Sequence, residues 1–143
     1  VRFSNGSTGS FWCSQVAVGH DNGLKVRIYG TKASLIWRQE NPNYLEVSYL
    51  HKPKEILSRG RDDLHSSAGE TVRLPGGHPE GFFEAFSNIY SNYLSALIDK
   101  KRGKNVSPEN YDYPDVSEGV QGVKFIETCL ESSERGGDWV KMD

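Results

Sequence analysis

A chain of 143 residues with 36% hydrophobic and 11% aromatic content has the length and apolar share of one globular domain, which excludes a disordered tract and a membrane-spanning bundle. A formal net charge of -2 supplies no basic field, and so argues against a nucleic-acid partner or an anionic membrane surface. The two cysteines, Cys13 and Cys129, form no CxxC pair and read as small buried hydrophobes in a reducing compartment, so the expected location is cytoplasmic.

The chain starts at Val1 without an initiator methionine and enters strand-forming sequence almost at once, as an excised piece of a longer protein would. Thr8 to Val18 is rich in strand formers and predicts a first strand, apolar on both sides: Phe11, Cys13 and Ala17 on one, Trp12, Val16 and Val18 on the other. His20-Asp21-Asn22-Gly23 is a hairpin signal. Leu24 to Ile28 then alternates, the chain turns at Gly30, and Leu35 and Trp37 resume the apolar face. A turn over residues 40–43 leads to Leu45, Val47 and Tyr49, and Lys54 to Leu57 predicts a short edge strand. Residues 59–73 are polar and patternless, a loop of the length that is often functional.

Two helices follow. Phe82, Phe86, Ile89, Tyr93 and Leu97 recur at helical spacing, and Lys100-Lys101-Arg102-Gly103 complements and ends that helix. Asp115 with Glu118 predicts a capping box at the start of a second helix carrying Val116, Val120, Val123, Ile126 and Leu130. Asp138 to Met142 is a candidate final strand. Strands first and helices afterwards predict an α+β fold of one domain over residues 1–143: a two-layer structure with a mainly antiparallel (mixed), open-faced sheet and helices packed on one face.

Chemistry-bearing motifs are sparse. The glycines of "LPGGHPEGF" (residues 74–82) match neither a phosphate loop nor GxGxxG. The four histidines, His20, His51, His65 and His78, sit at no metal-ligand spacing with Cys, Asp or Glu, so no metal is expected. No GxSxG elbow or Cys/His constellation supports nucleophilic catalysis. Asn5-Gly6-Ser7 and Asn105-Val106-Ser107 match the glycosylation acceptor, a pattern short enough to arise by chance. No signal-peptide pattern or apolar run of membrane-spanning length is found. His78 differs from the other histidines because Pro79 follows it, which places it near the N-cap of the first long helix. It is either a simple cap at a tight entry turn or a polar group presented at a pocket rim.

Three segments, "GSTGSFWCSQVAVGHDNGLKVRIYGTKASLIWRQENPNYL", "LPGGHPEGFFEAFSNIY" and "VSEGVQGVKFIETCLESSERGGDWV", taken in that order, resemble the C-terminal domain of the Gfo/Idh/MocA oxidoreductases. The resemblance covers nearly the whole chain. It implies a parent enzyme with an N-terminal Rossmann domain that binds NAD or NADP, transferring hydride at an alcohol carbon of a sugar, polyol or related compound. The C-terminal domain would shape the substrate pocket and mediate oligomerisation. The residues themselves point to the sheet face for this: Trp12, Val16 and Val18 of the first strand, and Tyr29, Ile36 and Tyr44 among Lys25, Arg27, Arg38 and Glu46, predict a homo-oligomer surface, the alternative being cover by an N-terminal segment of the same polypeptide. The family's dinucleotide motif, its Glu-Lys-Pro segment and its Asp-x-x-x-His helix have no match here, so no catalytic or cofactor-binding residue is expected in this chain. His78, Glu80 and Gly81 are the expected substrate-side residues. The alternatives are a stand-alone sheet-based binding or scaffolding module without catalysis, and a carbohydrate-binding module built on Trp12, Trp37 and Tyr44.

Overall fold

The computed structural model describes residues 1–62, 64–107 and 110–142. Four strands, β1 (Lys25–Tyr29), β2 (Ala33–Arg38), β3 (Tyr44–Tyr49) and β4 (Glu55–Ser58), precede three helices, α1 (Ser66–Glu70), α2 (Phe82–Lys101) and α3 (Val116–Glu134). This is an α+β fold, as the order of the sequence patterns predicts. The chain divides into two compact units, residues 1–63 and 64–143.

In the first unit the strands form one antiparallel sheet in the order β1-β2-β3-β4, each joined to the next by a short turn. At the β1–β2 turn Gly30 donates its N–H to the Ala33 carbonyl at 2.9 Å. After β2 the Trp37 indole donates to the Pro42 carbonyl at 3.0 Å, which fixes the 39–43 turn. The register then sorts the side chains by face, because residues directly opposite in an antiparallel ladder project to the same side. One face stacks Val26, Trp37, Leu45 and Leu57 in one row and Ile28, Leu35 and Val47 in the next. The other face carries the row Arg27, Ile36, Glu46 and Ile56, flanked by Lys25 beside Arg38 and by Tyr29 and Tyr44. Both faces match the alternation read from the sequence.

The expected first strand is not formed. Between Thr8 and Val18 the one pairing is an isolated bridge from Thr8 to Arg2, and Phe11, Trp12, Val16 and Val18 are 73%, 80%, 85% and 99% exposed. Strand propensity is realised only against a partner strand. Here local bonds bend the chain instead: Ser14 Oγ accepts the Val16 N–H, and the Val18 N–H reaches only to the Val16 carbonyl. The turn at residues 20–23 therefore leads into β1 without closing a hairpin. Cys13 and Cys129 are both free and exposed, which corrects the expectation that they pack as buried hydrophobes.

In the second unit, α1 lies within the segment expected to be a loop; Asp63 of that segment is outside the described residues. The basic end of α2 closes as expected. Gly103, at φ +76°, donates to the Lys100 carbonyl, and Lys104 turns back to pair with Asp99 at 2.9 Å. After α3, residues 138–142 form no strand. The chain instead leaves through Gly136 and Gly137, and Ser132 Oγ donates to the Asp138 carbonyl at 2.7 Å.

The α3 capping box is formed in full. The Asp115 carboxylate accepts the Ser117 and Glu118 N–H groups at 2.7 and 3.3 Å, and Glu118 Oε2 accepts the Asp115 N–H at 2.8 Å. Hydrogen bonds from the Ser117 hydroxyl and from the Ser117 and Glu118 amides hold the Asp115 carboxyl below its ordinary range. A group lowered on folding contributes stability above its unfolded pKa and loses it as pH falls through the folded value. Acid titration followed by NMR should therefore show the Ser117 and Glu118 amide signals shifting together below the usual carboxylate range. Asp115→Asn, which still caps, should abolish that step. A step that survives the substitution would contradict the assignment.

Candidate functional site

The polar residues singled out in the sequence gather in the loop between α1 and α2. That loop is bonded to itself and to α2. The N-cap of α2 is Gly81, three residues beyond the position expected for His78. The shift has a clear cause. Glu80 does not enter the helix; Oε1 of its carboxylate accepts the backbone N–H groups of Arg73 at 2.7 Å and Leu74 at 2.6 Å. The helix can start only after it, and Gly81 then donates its N–H to Glu84 Oε2 at 2.8 Å. Among the described residues Glu80 is the one buried polar side chain, at 8% exposure.

His78 sits at the exposed tip of this loop. Its N–H donates to the Pro75 carbonyl at 3.2 Å, and the turn passes through Gly77 at φ +90°, a conformation that favours glycine. The foot of the loop is fastened to α2. The Arg73 guanidinium donates through Nε to Asn88 Oδ1 at 2.6 Å and through Nη2 to Ser91 Oγ at 3.1 Å. Asn88 Nδ2 in turn donates to the Thr71 carbonyl at 2.8 Å. The structure thus keeps His78, Glu80 and Gly81 together, with different surroundings: His78 exposed, Glu80 turned inward, Gly81 opening the helix.

Arg73 and Asn88 escape a sequence reading. They are fifteen positions apart, and no spacing rule joins a loop arginine to a helical asparagine. The available hint is the polar side of α2, where Glu84, Asn88, Ser91 and Asn92 recur at helical intervals.

Beside α2 an open groove of about 620 Å³ is lined by Asn88, Asn92, Tyr111, Asp112 and Tyr113, among others. Its polar groups are committed to one another. Asn92 Nδ2 donates to the Asp112 carbonyl at 2.9 Å, and the Tyr111 hydroxyl donates to Asp99 Oδ2 at 2.8 Å. The Lys104 ammonium and then the Tyr111 hydroxyl hold the Asp99 carboxyl below its ordinary range, while donation to Asp99 pushes the Tyr111 phenol up. These bonds tie the α2–α3 connection to the end of α2. Among the described residues, no group of three or more His, Cys, Asp or Glu side chains is placed to hold a metal ion. The aromatic platform of a carbohydrate-binding module is not assembled either: Trp37 and Tyr44 lie on opposite faces of the sheet, and Trp12 precedes the sheet altogether.

Residues 1–142 match the model of an oxidoreductase family, "C-terminal alpha/beta domain", of the Gfo/Idh/MocA group. The uncharacterized oxidoreductase YfiI of Bacillus subtilis (strain 168) is 34% identical over 142 residues, covering 99% of this chain and 36% of its own length. An inositol dehydrogenase homolog from Azotobacter vinelandii, solved in complex with NADH and myo-inositol, is 39% identical with a TM-score of 0.92; the match covers 98% of this chain and 37% of that one. An oxidoreductase from Sinorhizobium meliloti is 45% identical with a TM-score of 0.82, over 91% of this chain and 35% of its own. The chain therefore spans little more than a third of the relatives it matches. With the family model extending from the residues before the sheet to the end of the described chain, the 143 residues belong to the Gfo/Idh/MocA oxidoreductases, as their C-terminal domain.

Proposed function

We propose that this chain is the substrate-side domain of a longer NAD(P)-dependent oxidoreductase acting on a sugar, polyol or related alcohol, and that it completes no catalytic centre alone. The observation that carries the reading is the likeness, over 98% of the chain, to an inositol dehydrogenase homolog whose structure holds both NADH and myo-inositol. The relatives' greater length leaves room for the N-terminal Rossmann domain that such chemistry requires. The nicotinamide would supply the hydride chemistry and would be held by that domain. This chain's own part is to bind and orient the hydroxylated substrate. His78 does so from the exposed loop tip, while Glu80 and Gly81 shape the loop and the start of α2. Homo-oligomerisation through the sheet face bearing Ile36 and Ile56 completes the proposal.

A dehydrogenase assay of the full-length protein tests the reading. With NAD or NADP, reduction of the cofactor is expected with at least one member of a panel of inositols, aldoses and sugar alcohols. A protein that binds the cofactor yet turns over none of them would contradict it and favour a binding or scaffolding module.

A further inference from the structure

We infer that Glu80 is a positioning residue for the substrate site: its carboxylate contacts no substrate but closes the loop that presents His78. The inference rests on the reading of His78 as a substrate-side residue, and it assigns to Glu80 a role distinct from that of a ligand.

A carboxylate is expensive to bury unless its oxygens are hydrogen-bonded. At 8% exposure, Glu80 meets that demand with two successive backbone amides, Arg73 and Leu74, converging on one oxygen at 2.7 and 2.6 Å. Adjacent N–H groups aimed at one anion form a concave nest, and charge-assisted bonds of this kind are the stronger class. Whereas His78 at the loop tip is exposed, burial and these two bonds hold the Glu80 side chain inward. What it does is join residue 80 to residues 73 and 74 and so close the loop between them. Pro75, Gly76, Gly77, His78 and Pro79 make up that loop.

A closed loop still needs a fixed orientation. That comes from Arg73, whose backbone Glu80 holds and whose side chain is clamped to α2 through Asn88 and Ser91. Asn88 adds a second tie through the Thr71 carbonyl. The path from Glu80 through Arg73 to Asn88 thus registers His78 against a helix of 20 residues. A side chain on a mobile loop has to be ordered at the moment of binding, and that cost weakens the apparent affinity.

The test is a double-mutant cycle on the full-length enzyme with whichever polyol it turns over. His78→Ala and Glu80→Ala should each raise KM by about 10-fold while kcat changes by less than about 2-fold, the split expected when ground-state binding alone is lost. The double variant should be no worse than either single one, because Glu80 acts only through His78. Glu80→Gln, which keeps an oxygen for both amides, should restore KM to nearly the original value. Effects that multiply in the double variant would overturn the inference, since Glu80 would then act independently of His78. So would an unchanged KM in Glu80→Ala. His78→Ala without effect would sink the underlying reading instead, and the inference with it. Should Glu80→Ala fail to fold, Asn88→Ala carries the test, because alanine is the better helix former at that position. It should raise KM in the original background and not in the His78→Ala background; no rise would overturn the inference.

Discussion

Full-length protein carrying Ile36→Glu and Ile56→Glu together is expected to run as a monomer in light scattering, and the unsubstituted protein as a twofold dimer. The two isoleucines belong to one cross-strand row, Arg27, Ile36, Glu46 and Ile56, on the face opposite the Val26–Trp37–Leu45–Leu57 row. An antiparallel sheet with one solvated face is ordinarily polar on that face. This one exposes Ile56 at 60%, Tyr29 at 69% and Tyr44 at 46%, an apolar and aromatic set that water alone covers poorly. Its carboxylate is already satisfied. Glu46 pairs with Arg38 and with Lys54, and hydrogen bonds from those two cations hold its carboxyl below the ordinary range. A partner surface would therefore not have to neutralise an isolated carboxylate, and aromatic residues beside arginine match the composition of interfaces. A twofold interface repeats each substitution, so the double variant would bury four unpaired carboxylates and weaken association by well over about 100-fold. An unsubstituted full-length protein that stays monomeric at high concentration would defeat the expectation. Trp12 has no place on this face because its segment does not join the sheet.

The parts of this structure that were legible in the sequence are those whose determinants lie a few residues apart. Val26 with Ile28, Leu35 with Trp37, and Leu45 with Val47 each set a face by simple alternation. The α3 capping box could be read because Asp115 and Glu118 bond to each other's backbone. Where the deciding partner is distant, local rules mislead. Residues 8–18 have the composition of a strand, but among the described residues they pair only through the Arg2–Thr8 bridge. Pro79 signals a helix start at His78, yet Glu80 bonds back across the loop to residues 73 and 74 and moves the start to Gly81. The candidate site divides in the same way. His78, Glu80 and Gly81 were visible as a group, whereas Arg73 and Asn88, which hold that group in place, are linked only through the fold.

Calorimetric titration of the 143-residue chain with NAD or NADP is expected to show no saturable binding at ligand concentrations up to about 1 mM, whereas the full-length protein binds one of them. A dinucleotide pyrophosphate is held where backbone N–H groups at a helix N-terminus converge on it and the helix dipole favours its charge. The two long helices here do not offer that arrangement. At α2 the Gly81 N–H is taken by Glu84 Oε2, and at α3 the Ser117 and Glu118 N–H groups are taken by the Asp115 carboxylate. Each helix start thus already carries an anion of its own. An incoming phosphate would meet a like charge as well as occupied donors. In the loop that carries Gly76 and Gly77, the backbone amides of Arg73 and Leu74 are likewise taken, by the Glu80 carboxylate. On the proposed reading, the chemistry comes from the Rossmann domain that would accompany this one. Micromolar affinity of the isolated chain for either dinucleotide would refute this division of labour.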